Sequence, residues 1–245
     1  MFPAFTLYLT LAFCSLGIGL AVVRYDLYDR EPWPLILGAI GLGALGMMAS
    51  YYVEVGAIEF IHGRGLPFGY TGLAFLAGVV EEVFKALGVL VIVLAARRHF
   101  NDPLDGLIYG SFVGLGAAIE ESAALIAGQV HLRSLPATEP VRLVGHLIMG
   151  GIGAFGLGLL TMRHSSAHIA AAGSLAAAVA LHIAWDLAAF DQLESGPPLT
   201  FSQTLIPVLL MLLGMLIYRR LASVGARLTR EHRRVRNPRA WGPSA

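Results

Sequence analysis

Eight ionisable side chains lie deep inside apolar sequence: Glu81, Glu82 and Lys85; Glu120 and Glu121; His146; and His182 with Asp186. Such groups are costly at membrane depth, and they usually face a bundle interior or a water-filled cavity. Glu81 and Lys85, four residues apart, share a helix face, where the ammonium keeps a carboxylate ionised. Glu82 stands about 100° further round the helix. Two carboxylates this close in a low dielectric do not both ionise cheaply, which leaves a base–acid pair. His182 and Asp186 are also four apart, so the carboxylate can orient the imidazole. Glu120 and Glu121 cannot both face one cavity centre, and one of them points to a neighbouring helix or to water. Carboxylates and imidazoles together can activate water by general-base catalysis. They also suit zinc, with Glu121, His146 and His182 as the ligands if a metal is present. Other chemistries are missing from the sequence. There is no H-E-x-x-H and no G-x-S-x-G elbow, and no paired membrane aspartates suggest an aspartyl site. Ser111 is a lone serine on a glycine-rich stretch, and the single cysteine, Cys14, rules out an internal disulfide or a cysteine cluster.

The elements that must hold these groups are membrane helices. The chain has 245 residues, 56% hydrophobic and only 13% charged. Soluble domains carry roughly 25% charged residues, so lipid is the solvent here. The sequence predicts an all-α, polytopic transmembrane helical bundle of about seven spans, near 4–23, 34–60, 70–96, 104–129, 142–162, 168–190 and 203–221. Turn chemistry separates them, as in Glu31-Pro32-Trp33-Pro34, His62-Gly63-Arg64-Gly65, Asn101-Asp102-Pro103 and Ser195-Gly196-Pro197-Pro198. The amino end lacks a basic region and a clear cleavage site, so the first run reads as a retained span. The expected division is a membrane domain, 1–221, followed by a basic cytoplasmic tail, 222–245.

Charge sets the expected orientation. Thirteen of the 17 Lys+Arg fall on the side shared by the first, third and fifth loops and the tail. They include Arg24, Arg30, Arg97, Arg98 and Arg163, whereas the opposite side has Arg64, Arg133 and Arg142. The amino end is therefore expected outside and the carboxyl end in the cytoplasm. The tail reads as a lipid-headgroup anchor, not a nucleic-acid surface. Counting 1.5 Å per residue from the outer helix ends places Glu81 roughly 16 Å deep, Glu121 and His182 about 12 Å and His146 about 6 Å. Four helices thus bring acids and imidazoles to one outer layer. Glu54 and Glu59, near the outer end of the second span, read as reaching the interface. Small-residue ridges at Gly106, Gly110, Gly114 and Ala118, and at Gly150, Ala154 and Gly158, pin the fourth and fifth spans inside the bundle.

A set of ordered motifs now stands out. Asp29-Arg30-Glu31-Pro32-Trp33 is followed by Glu81-Glu82-Val83-Phe84-Lys85, then by residues 100–110, Phe-Asn-Asp-Pro-Leu-Asp-Gly-Leu-Ile-Tyr-Gly. After them come Gly114 to Glu121, His146 with Gly150, and Leu181-His182 with Trp185-Asp186. From about Tyr25 to Phe190 the chain resembles the PrsW family of intramembrane proteases, distantly related to the CAAX prenyl endopeptidases. It departs from the family pattern where Ala117 replaces a Phe, Ser122 an Asn and Asp186 an Asn. Unlike Asn, an ionised Asp accepts but cannot donate.

The resemblance implies a peptidase of the bacterial plasma membrane that cuts a membrane-associated protein, as in site-1 cleavage of an anti-sigma factor on its extracytoplasmic side. Glu81 or Glu82 would be the general base and Glu121 would position the water. His146 and His182 would polarise the scissile carbonyl, with Lys85 and Asp186 in support. The cofactor stays open between none and a divalent metal such as zinc, and the sequence sets no oligomeric state. Two other classes use similar residues: a proton-coupled transporter and a non-catalytic membrane scaffold. The lack of an internal repeat and the single polar layer argue against a transporter, and the filled Glu and His positions argue against a scaffold.

Overall fold

The computed structural model of the chain describes residues 2–24, 30–128, 134–136, 138–162, 166–196 and 198–236. Tyr25, Asp29, Gln129, Arg133, Arg163, Pro197 and Arg239, on which parts of the sequence reading rest, lie outside the described residues, as do the side chains of Arg233, Arg234 and Arg236. The described residues form seven helices and no strand: α1 (Phe2–Val23), α2 (Trp33–Gly63), α3 (Tyr70–Ala95), α4 (Pro103–Gly128), α5 (Glu139–Thr161), α6 (Ala167–Ser195) and α7 (Phe201–Arg236). Six of them are long and apolar enough to cross a membrane. The other is α3, which has Glu81, Glu82 and Lys85 at its middle. Large apolar side chains such as Phe13, Leu37, Phe75 and Leu216 stand exposed on the bundle's surface, as expected where lipid replaces water.

Five helices close a ring. α2 packs on α4, α4 on α5, α5 on α6, α6 on α3, and α3 back on α2. α1 lies outside against α4 and α5, and α7 against α4, α5 and α6. The centre of the packing is α4, in which every residue from Pro103 to Ala118 is buried. Its first turn is fastened by its own acids: Asp102 Oδ1 accepts the Leu104 N–H at 2.8 Å, and Asp105 Oδ2 accepts those of Asn101 and Asp102 at 2.5 and 2.8 Å. Tyr109 donates to Glu31, tying the entry of α2 to the same end.

The glycine ridges explain how close α4 lies to its neighbours. A β-carbon at Gly114 would fall on the carbonyl of His146, one at Gly110 on that of Gly150, and one at Gly106 on that of Ala154. On the opposite flank, Gly116 meets the Ile40 carbonyl and Gly43 meets that of Val113, which brings α2 equally close. Gly114→Ala should therefore destabilise the protein by about 1–3 kcal/mol through overpacking, and it should displace the backbone that carries His146. Gly17→Ala meets nothing within 4 Å and serves as the control. Thermal melting in detergent reads the difference, and equal melting of both variants would contradict this packing.

Candidate active site

Side chains from α3, α4, α5 and α6 converge inside one end of the ring. Glu82, 1% exposed, accepts from Lys85 Nζ at 2.7 Å, and its same oxygen lies 2.9 Å from His182 Nδ1. The ammonium is 3.7 Å from Glu81. Lys85 thus binds Glu82 more closely than Glu81, the i, i+4 partner that the sequence pattern suggests. The reason is that Glu82 points to the interior beside His182 and Gly153, where no side chain intervenes.

A second arm mirrors the first. His146 Nε2 is 3.3 Å from Glu121 Oε2, and the Arg142 guanidinium holds the other oxygen of Glu121 at 2.6 Å. Arg142 also pairs with Glu139, whose carboxylate accepts from Ser122 Oγ at 2.5 Å. Each imidazole therefore has a carboxylate behind it, and each carboxylate is held by a cation: His182–Glu82–Lys85 and His146–Glu121–Arg142. Glu120 and Glu121 are both partly exposed, but it is Glu121 that meets His146 and Arg142, so of the adjacent pair Glu121 faces the site.

In front of the two arms, three atoms share one point. Glu81 Oε2 is 3.6 Å from His182 Nε2 and 3.9 Å from His146 Nδ1. The two rings meet edge to face with centroids 5.2 Å apart. Asp186 Oδ2 faces the same His182 nitrogen at 3.6 Å. Glu81 Oε2 and His146 Nδ1 are shielded from solvent without a hydrogen-bond partner, and buried polar atoms are rarely left so. Ligand atoms of Glu81, His146 and His182 all lie within 4.8 Å of one another. Bonds of about 2.1 Å in a tetrahedral zinc site put its ligand atoms roughly 3.4 Å apart, close to two of the separations here. Two histidines and a glutamate form a known catalytic zinc set, and histidine ligands commonly turn their outer nitrogen to a carboxylate. The residues fit a divalent metal. The set that converges contains Glu81 where the sequence reading had Glu121, because Glu121 stands behind His146 in the grip of Arg142.

The structure therefore gathers Glu81, Glu82, Lys85, Glu121, His146, His182 and Asp186. Arg142 and Glu139 had no part in the sequence reading of the site; Arg142 entered it only as a topological charge. Ser111 is elsewhere: it donates to the Leu107 carbonyl at 2.8 Å and contacts Tyr218 at 2.9 Å, a packing role between α4 and α7.

A model of a family described as PrsW family intramembrane metalloprotease matches residues 31–220. The chain belongs to the PrsW family. It is 32% identical over 155 residues to Protease PrsW of Bacillus subtilis (strain 168), covering 60% of this chain and 68% of that protein. It is 33% identical over 121 residues to Protease PrsW of Clostridioides difficile (strain 630), covering 47% of this chain and 49% of the relative. A third relative, Protease PrsW of Oceanobacillus iheyensis, is 30% identical over 158 residues, covering 60% and 69%. No solved structure matches the chain. As a PrsW-family member the chain is a membrane peptidase, and its converging side chains all fall within the matched residues.

Proposed function

We propose that this peptidase cuts a single-span membrane protein at the Glu81–His146–His182 cluster, with those three residues holding a divalent metal, zinc by the chemistry of the donors. The observation that carries the reading is the pair of histidine–carboxylate–cation arms behind one point of unsatisfied nitrogen and oxygen atoms. When bound, such an ion polarises a carbonyl and makes water acidic enough to attack near neutral pH. The remaining roles belong to the chain. Glu82 and Glu121 fix the tautomer and tilt of the two imidazoles. Lys85 and Arg142 keep those carboxylates in place. Asp186, facing the same point and engaged by no Lys or Arg among the described residues, takes the proton of the attacking water and returns it to the leaving amine. Glu81 supplies the central negative charge.

The site's depth supports cleavage on the outer side of the membrane, of the kind an anti-sigma factor undergoes. The charge pattern supports a bacterial plasma-membrane protein with its amino end outside. Residues 1–221 are proposed as the protease domain, and the basic 222–245 as a cytoplasmic tail that begins as the continuation of α7. Two measurements test the reading. Purified protein supplied with zinc in vesicles should cut candidate single-span proteins at or just outside the outer half of their span; no fragment from any of them would overturn it. Accessibility tags at both ends should report the amino terminus outside, and a cytoplasmic amino terminus would reverse the cleavage side.

A further inference from the structure

Glu54 is a site-facing carboxylate that the catalytic arrangement leaves unused. The sequence reading assigned it to the interface, but its helix turns it inward. The buried positions of α2, Ile36, Ala39, Gly43, Met47 and Ser50, recur every three or four residues, and the next step of that stripe is Glu54. By contrast Glu59 lies off the stripe and is exposed. Glu54 stands nine residues before the end of α2 at Gly63, roughly 14 Å from that end. Glu121 stands seven residues before the end of α4, roughly 10 Å, and His182 thirteen before the end of α6, roughly 20 Å, so Glu54 falls between them in depth. The charge of Glu54 acts on His182, Asp186, Glu121 and Lys85, which come from three other helices, α6, α4 and α3. With Glu54 included, every helix of the ring contributes an ionisable group to its interior.

The cations of the site are already engaged. Lys85 serves Glu82 and Glu81, and Arg142 serves Glu121 and Glu139. Oε1 of Glu54 is shielded from solvent and has no hydrogen-bond partner, while the side chain as a whole is only half-buried. Its carboxylate is thus partly shielded and, at Oε1, unmatched among the described residues. Counted as ionised, and with His146 and His182 neutral as metal ligands, the six carboxylates Glu54, Glu81, Glu82, Glu121, Glu139 and Asp186 share two cations among the described residues, Lys85 and Arg142, and even a divalent ion leaves an excess of negative charge. A buried charge without a partner is costly. A substrate cation would remove that cost, and a substrate carboxylate would increase it.

We propose that Glu54 lines a substrate subsite that takes a Lys or Arg side chain close to the cut bond. This rests on the peptidase reading above and adds a selectivity to it. The test uses a single-span substrate whose cut has been mapped with the wild-type protein. Each position on either side of the cut is changed in turn to Lys and to Gln. At one position Lys should be preferred over Gln by about tenfold or more in kcat/KM, mostly through KM, because a hydrogen bond to a charged group is worth at least that factor. Glu54→Gln should bring the ratio close to one. Glu54→Asp, which keeps the charge, should retain part of the preference, and Glu54→Lys should turn it toward Glu. Ser111→Ala, remote from the site, should keep the wild-type ratio, and thermal melting verifies that each variant is folded. A wild-type protein with no preference for Lys at any position, or a preference that survives in folded Glu54→Gln, overturns the subsite alone. If the wild type cuts no variant of the substrate at all, the peptidase reading falls and takes the subsite with it.

Discussion

Glu81→Gln should reduce cleavage by about 10²–10⁴-fold, the range for losing a group that acts on the reacting atoms. Gln keeps the shape and one acceptor but removes the charge that sits between the two imidazoles. Glu82→Gln should cost less, about 10–100-fold, as expected of a group acting through a ligand's outer nitrogen. It leaves His182 in place while weakening both the orientation of that ring and the seat of Lys85. With both glutamates changed the loss should be no larger than the product of the two, because they serve one site and are not independent. Ser111→Ala should leave the rate largely unchanged. Quantified release of the cut fragment from vesicles, with thermal melting as a check of folding, decides the matter. A folded double variant that still cuts at the wild-type rate would make the carboxylate pair structural and remove this mechanism.

The second large effect concerns the metal. Purified protein should carry about one zinc equivalent per chain, bound by three residues with an open fourth position. Chelation should abolish cleavage and added zinc should restore it. His146→Ala and His182→Ala should lower metal content measured by mass spectrometry, and weaken binding by more than the 10–100-fold that outer-shell changes cost. Glu121→Gln should fall within that smaller range, since Glu121 stands behind His146. The ordering distinguishes the observed triad from a set built on Glu121 in place of Glu81. Full cleavage by demonstrably metal-free protein would discard the metal and leave Glu81 as the direct base toward water.

Much of this arrangement can be traced in the sequence, for identifiable reasons. Apolar runs separated by Gly and Pro mark the helices because lipid demands both length and hydrophobicity. Only the ends differ: α7 runs to Arg236, not 221, since the change from apolar to basic residues changes the surrounding solvent without ending a run of good helix formers. Counting residues from the helix ends places Glu81, Glu121, His146 and His182 at a shared depth, and in the structure they meet. The glycine ridges on α4 and α5 face each other as their spacing requires. What counting along a helix cannot supply is the rotation of one helix against another. Hence the closer partner of Lys85 is Glu82, Glu81 replaces Glu121 among the converging ligand atoms, and Arg142 works as a clamp. The inward turn of Glu54 is legible along the helix, because it stands one turn beyond Ser50 on the buried face of α2.

The closed ring of α2, α4, α5, α6 and α3 limits the shape of what reaches the site. An α-helix with its side chains is about 10–12 Å across, whereas the ring's interior already holds two imidazoles, the carboxylates and their cations. On the α4 side, backbones that nearly touch at Gly43, Gly110, Gly114 and Gly116 leave no seam through which a guest helix could slip sideways. On the proposed reading, a segment to be cut that enters on this side would arrive unwound, as an extended strand from the end of the bundle where the site lies. Unwinding also exposes the peptide carbonyl, which a helix would keep hydrogen-bonded to its own backbone. On that reading, preference would be set by how readily a substrate frays near the membrane edge as much as by which side chains it carries.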